Sequence, residues 1–298
     1  MDEQHPAGGS EQHRIGDELV AVIAAQGGEL QSICTAGGHE LLWQAGPQWP
    51  RRAPVLFPIV GRLAGDTLLH DGVPHRMTQH GFARDRRFRF IAHDARSCRL
   101  RLEDDEQSRA IYPFAFRLEI EYRIERSTLS VGYTLFNPST EILPASLGAH
   151  PAFLWPLDGN VAAEAHEIVF AEAEPAPIRR VRDGLLRQAS EPTPIRGRHL
   201  ALDEALFADD AVILKAPASH SLRYGIPDGP ALLIGWSGFT QLGLWAKPGA
   251  GFLCVEPWSG LASPEGFDGE FSIKPHLMLI PPGETRQASW SLTPSALA

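Results

Sequence analysis

Two short stretches of the chain share a pattern around an ionisable side chain. His150 stands in LGAHPAF (Leu147–Phe153), and Glu256 stands in CVEPWSG (Cys254–Gly260). Each directly precedes a proline, with an aromatic close behind. A residue before proline is driven into extended backbone, and the proline, lacking an N–H, marks where strand pairing is expected to stop. The pattern therefore puts His150 and Glu256 at strand ends with fixed backbones, the preorganisation that proton transfer requires. A third candidate, His80, occupies the turn Gln79-His80-Gly81 within RMTQHGFARDRRFRF (76–90).

Should the three converge, different chemistries are open. Two imidazoles and a carboxylate can hold zinc or iron. Neither HxH nor HExxH occurs, so no metal is expected. Glycoside hydrolysis would pair Glu256 with a second acid, Asp209 or Asp210, at a separation the sequence does not fix. The third option is cofactor-free proton shuttling, with a carboxylate as base and an imidazole as acid. Each residue also has a plain structural reading, as a satisfied histidine at a strand end or a surface Glu-Pro-Trp turn.

The elements that must position these groups are strands. Apolar residues alternate over 98–103, over 116–124 (Phe116, Leu118, Ile120, Tyr122, Ile124) and over 129–135 (Leu129, Val131, Tyr133, Leu135). Period two is the mark of half-buried antiparallel strands. A hairpin is expected about Gly27-Gly28 within 18–33, with further strands over 211–215, 231–236, 241–245, 252–256, 277–280 and 288–292. No long helical stripe occurs; 200–207 suits one or two helical turns, and 171–199 reads as an irregular excursion. Residues 1–14 are polar and are expected to be a disordered tail, with one all-β domain over 15–298. Two β domains divided near 160–200 are the alternative.

The 298 residues, 43% hydrophobic, can bury a large core. A net charge of −9 speaks against a nucleic-acid partner. No apolar run reaches membrane-spanning length, and three scattered cysteines suit a reducing compartment, so a cytoplasmic protein is expected.

An ordered set of motifs carries a resemblance: FPIVGR (Phe57–Arg62), QHGFARD (Gln79–Asp85), LGAHPAF, LFADDAVIL (Leu206–Leu214) and LCVEPWSG (Leu253–Gly260). With these the chain resembles the aldose 1-epimerase (galactose mutarotase) superfamily, most of all its LacX-type branch. The resemblance implies a single β-supersandwich, no cofactor, and acid–base interconversion of the anomers of a hexose or hexose phosphate. It implies Glu256 as the base at the anomeric hydroxyl, His150 as the acid at the ring oxygen, and His80 as a second histidine at the ring oxygen or a neighbouring hydroxyl. Arg62, Arg84, Asp209, Asp210 and Trp258 become candidate substrate contacts, the arginines for a phosphate. Arg87 and Arg89 are expected on a solvated face. The expected partner is a small sugar or sugar phosphate, for a monomer or homodimer. The rival readings are a non-catalytic carbohydrate-binding protein with the same groove and a glycoside hydrolase.

Overall fold

The computed structural model describes residues 11–297. The alternating segments become two antiparallel layers. Nine strands form the larger sheet, in the order His199–Ala201, Glu167–Phe170, Ser221–Gly225, Ala231–Ser237, Thr285–Ser295, Thr128–Phe136, Arg117–Glu125, Ser97–Glu103 and Arg89–His93. The second sheet runs Val212–Leu214, Gln241–Trp245, Phe252–Ser259, Leu147–Ala149 and Val55–Leu56, with Ala152–Leu154 also paired to the Phe252 strand.

Alternation decides what each face does. Leu118, Ile120, Tyr122 and Ile124 are buried, as are Leu129, Val131, Tyr133 and Leu135 on the neighbouring strand. Their outward neighbours form cross-strand ion pairs such as Arg101–Glu119 at 2.7 Å, which are solvated and contribute little stability. Inward residues of the second sheet, Leu242, Leu244, Leu253 and Val255, share one hydrophobic cluster with Leu129, Ile168, Tyr224 and Trp290 of the first. The cluster joins residues from both sides of 160–200, so no divide into two cores is seen there. The architecture is an antiparallel β-supersandwich.

The structure corrects several expectations. Residues 1–10 lie outside the described residues, but Gln12–Ile15 is a strand paired with Leu19–Ala24, so the tail does not reach residue 14. Ile15, 1% exposed, anchors that strand, and Gly16 turns the chain at φ +85. The helical turn near 200–207 shrinks to a 3-10 turn over Glu204–Phe207, and a short helix not foreseen spans Glu106–Ile111 behind a capping box of Asp105 and Ser108.

The strand bearing Glu256 also fails to stop at Pro257; it continues to Ser259, with Pro257 opposite Leu242. On its other edge the neighbour changes at that point. Cys254 pairs with Ala152, while Trp258 pairs with Gly148. The missing N–H therefore falls in the gap between two neighbouring segments, where a proline costs no ladder bond. His150 and Pro151 occupy that gap.

Candidate functional site

The strand Phe252–Ser259 is buried on both faces. Leu253 and Val255 face the core, so Cys254, Glu256 and Trp258 share the opposite face. Two glycines make room there for the Trp258 indole. A Cβ on Gly148 would lie 2.6 Å from its Cδ1, and one on Gly243 would lie 2.3 Å from its Cη2. Gly148 pairs with Trp258, and Gly243 pairs with Glu256, from the two flanking strands. The indole can spread across the sheet only because both neighbours lack side chains.

His150 enters from the gap in the adjoining edge. Its Nε2 lies 3.2 Å from Glu256 Oε2, with the two side chains 8% and 2% exposed. Trp49 stacks on the imidazole at 5.1 Å between centroids, while Trp245 and His80 stand edge-on at 5.9 and 5.6 Å. Three rings thus fix the orientation of the fourth.

His80 is held by a turn built for it. His80 and Gly81 have φ of +66 and +72. The left-handed conformation is strained for histidine and open to glycine, and a Cβ on Gly81 would lie 2.2 Å from Phe57 O. The backbone N–H of His80 donates to Gly61 O at 2.7 Å, and that of Phe82 donates to Phe57 O at 3.0 Å. The FPIVGR and QHGF segments therefore lock together. Gly61 N–H in turn donates to His80 Nδ1 at 3.1 Å. An accepting Nδ1 leaves the proton of the neutral ring on Nε2, so His80 is a hydrogen-bond donor there.

Burial dominates the electrostatics. It pushes the Glu256 carboxyl well above the usual carboxylate range; the charge of Asp210 adds to the rise, and the Trp258 indole N–H opposes it without reaching hydrogen-bond geometry. Burial lowers His150 to about 3, partly offset by its own backbone carbonyl, with Arg84 lowering it further. His80 is held well below the ordinary histidine value by burial, then by His150, Arg84 and Arg51. The ligand-free pair accordingly favours its neutral form, with one proton on Glu256. Glu256 Oε2 and His150 Nδ1 are buried without a hydrogen bond.

These groups open on a cavity of about 280 Å³ on the outer side of the smaller sheet. Of the residues singled out by sequence, His80, Arg84, His150, Asp210, Glu256 and Trp258 line it together. Arg84 Nη2 donates to Gln79 O at 2.6 Å, which ties its head to the His80 turn. Burial, then Arg51, lowers the affinity of its guanidinium for its proton.

Arg62 and Asp209 are not brought into the cavity. The Arg62 guanidinium is clasped by both oxygens of Asp66, at 2.6 and 2.9 Å, and its stem packs against Gly184. Asp209 belongs to a neighbouring surface depression, alongside Lys247 and Pro248. Of the two aspartates only Asp210 lines the cavity, and it borders the depression as well. Arg180, 7% exposed, donates to Asp210 O at 2.7 Å and Leu206 O at 3.0 Å. It pins a loop in which Asp210 has φ +68. Arg87 and Arg89 stay outside, beside Glu11 and Glu103, as Phe88 turns into the core.

Sequence reasoning missed Trp49, Trp245, Val181 and Gly184 in the lining. Trp49 had one usable signal, a proline directly after it; Val181 and Gly184 lie in the excursion read as irregular. Among the described residues two groups of donors come close enough for a metal, His150, Cys254 and Glu256 at the cavity and His70, Asp71 and Glu270 outside it, the ligand atoms of each lying within 4.8 Å of one another.

Comparison with known proteins agrees with this architecture. The family model for aldose 1-epimerase matches residues 12–272. The LacX proteins of Lactococcus lactis subsp. lactis, plasmid and chromosomal, are 30% identical over 288 residues, covering 92% of this chain and 96% of theirs. A galactose mutarotase related enzyme from Lactobacillus acidophilus superposes with a TM-score of 0.87 at 29% identity, over 96% of this chain and 97% of its own. A galactose mutarotase-like protein from Lactobacillus casei gives 0.88 at 25% identity, over 96% and 100%. The match over most of the chain, on the same fold, places this protein in the aldose 1-epimerase family.

Proposed function

We propose that the chain is a mutarotase-type isomerase that interconverts the α and β anomers of a hexose or hexose phosphate by acid–base ring opening. The observation that carries the reading is the buried His150–Glu256 pair, 3.2 Å apart, at a cavity also lined by His80. That spacing leaves no room for a sugar ring between the two groups. It suits a sugar presented edge-on, with the anomeric hydroxyl and the ring oxygen, both bonded to C1, meeting the pair side by side.

The reaction needs one proton on the pair. With that proton on His150, Glu256 takes the proton of the anomeric hydroxyl while His150 protonates the ring oxygen. The C1–O bond of the ring breaks, leaving an aldehyde; rotation about C1–C2 presents its other face, and reclosure returns both protons. Burial favours the neutral arrangement before a sugar arrives. Sugar hydroxyls and the His80 Nε2–H then supply hydrogen bonds to the ionised form. Each proton transfer contributes roughly 10²–10⁴-fold. Trp258 and Trp49 offer apolar surface to the ring, and Asp210 and Arg84 take hydroxyls. In a phosphorylated substrate, Arg84 is the cation placed to meet the phosphate.

The test is anomer exchange followed by NMR on glucose, galactose and their 6-phosphates, with the parent, Glu256→Gln and His150→Gln. Acceleration by the parent, lost in both variants, is expected. A folded parent that binds one of these sugars yet never speeds exchange would establish a binding protein instead. A product of changed mass would point to hydrolysis.

A further inference from the structure

We propose that His150 Nε2, Cys254 Sγ and Glu256 form a binding site for Zn²⁺, and that its occupancy switches the catalytic pair off. Cys254 has no part in the proton shuttle, yet it stands two residues before Glu256 on the same strand face and opposite Ala152, beside His150. One donor atom from each of the three residues lies within 4.8 Å of the others, and all three residues are buried.

Their geometry is close to what the ion needs. The 3.2 Å between His150 Nε2 and Glu256 Oε2 compares with roughly 3.3 Å for the N–O edge of a tetrahedral zinc site. The edges to sulfur would be roughly 3.6 Å, against the 4.8 Å within which the donor atoms of the ligand-free chain lie. A second observation points to a ligand: Glu256 Oε2 is buried, carries no hydrogen bond, and belongs to a side chain lining the cavity. The cavity is lined by His150 and Glu256, with Cys254 behind them among Ala152, Ala250 and Phe252, so the entry path and the fourth position for water lie on the side of the first two ligands.

Charge balances as well. Binding releases the protons of the thiol and the carboxyl to solvent, and Zn²⁺ is neutralised by one thiolate and one carboxylate. Asp210 adds favourable field and Arg84 opposes it. Imidazole, thiolate and carboxylate together suit a borderline-soft ion and not Mg²⁺ or Ca²⁺. An ion on His150 and Glu256 occupies the lone pairs that proton transfer uses. The binding claim stands on geometry alone; its inhibitory consequence rests on the mutarotase reading.

The experiment is a Co²⁺ titration of the reduced full chain, read by absorbance, followed by displacement with Zn²⁺. Expected are a thiolate-to-cobalt charge-transfer band and tetrahedral d–d bands, abolished in Cys254→Ser and His150→Gln and unchanged in Cys34→Ser. Cys254→Ala serves if the serine variant misfolds by circular dichroism. Zn²⁺ should inhibit anomer exchange, and the concentration for half-inhibition should rise at least ~10-fold in the Cys254 variant, each curve normalised to its own metal-free rate. No thiolate band from a folded parent, or a band that survives loss of Cys254, overturns the site. The cobalt spectrum is read whether or not the chain is catalytic. A band without catalysis therefore refutes the mutarotase reading alone, and catalysis without a band refutes the metal site alone.

Discussion

Replacing Glu256 with Gln should remove activity without removing stability, and the pH dependence of the difference can be worked out. Glu256 is 1% exposed, and burial raises its carboxyl well above the ordinary range. In the unfolded chain it ionises normally. Wherever the folded carboxyl keeps its proton and the unfolded one has lost it, the native state binds more protons. Parent stability then falls with rising pH by about 1.4 kcal/mol per unit.

Other groups limit the useful window. His150, about 3 when folded and 6.5 when free, loses stability as pH falls below 6.5 and contributes nothing above it. Lys274, buried against the Leu261 carbonyl and lowered to about 8, adds the opposite slope only from there upward. Between pH 6.5 and 8, Glu256 is therefore the buried group whose titration the substitution isolates. Urea unfolding of parent and Glu256→Gln at the two ends should show the stability difference moving in favour of the variant, by up to about 2 kcal/mol. Anomer exchange in the same samples should fall by roughly 10²–10⁴-fold. A stability difference that stays constant across the window would mean that the folded carboxylate is already ionised, and the electrostatic account of the pair would be wrong.

Other perturbations follow from the same geometry. The kcat/KM of the parent should show no histidine inflection near pH 6.5, because His150 titrates near 3; an inflection at the ordinary value would show that His150 is solvated in the working enzyme. Gly243→Ala forces a methyl to 2.3 Å from Trp258, so a loss of about 1–3 kcal/mol in urea unfolding and a raised KM are expected. Arg180→Ala strands the carbonyls of Leu206 and Asp210, costing about 1–3 kcal/mol. Arg180→Lys should recover part of both the stability and KM, since it still donates to the loop carrying Asp210. Gly81→Ala, at φ +72 and 2.2 Å from Phe57 O, should displace His80 and lower exchange even where the chain folds, as checked by circular dichroism beside the rate.

Much of the fold was legible because alternation is a local signal. Leu118 to Ile124 and Leu129 to Leu135 announce both the strand and its buried face. The proline-flanked pattern likewise singled out His150 and Glu256, which the fold brings to one cavity, since proline acts on the residue beside it. What stayed hidden depends on partners distant in sequence. Nothing local says that Arg62 will be taken by Asp66, or that Arg180 will brace the backbone at Asp210. The strand continued through Pro257 because its neighbour changes there, a fact set by residues 147–154. Trp49 and Trp245 bear on His150 from segments with no period linking them to it.

The same long-range packing explains why the pair is arranged to be costly. Trp49, Trp245 and His80 surround His150, and Trp258 spreads beside Glu256 over the two glycine positions; each apolar surface that excludes water from the pair also disfavours its charges. A solvated histidine and glutamate would be more stable as ions. Burial instead lowers the affinity of the imidazole for a proton and raises that of the carboxyl, which favours a neutral pair, 3.2 Å apart, with its one ionisable proton on Glu256. Mutarotation consumes one proton at the ring oxygen and returns one from the anomeric hydroxyl, so a pair that begins each turnover with one proton ends it with one. On the proposed mutarotase mechanism, the group that carries the electrostatic strain is also the one that carries the proton, so relief of the strain by Glu256→Gln without loss of exchange would contradict that mechanism.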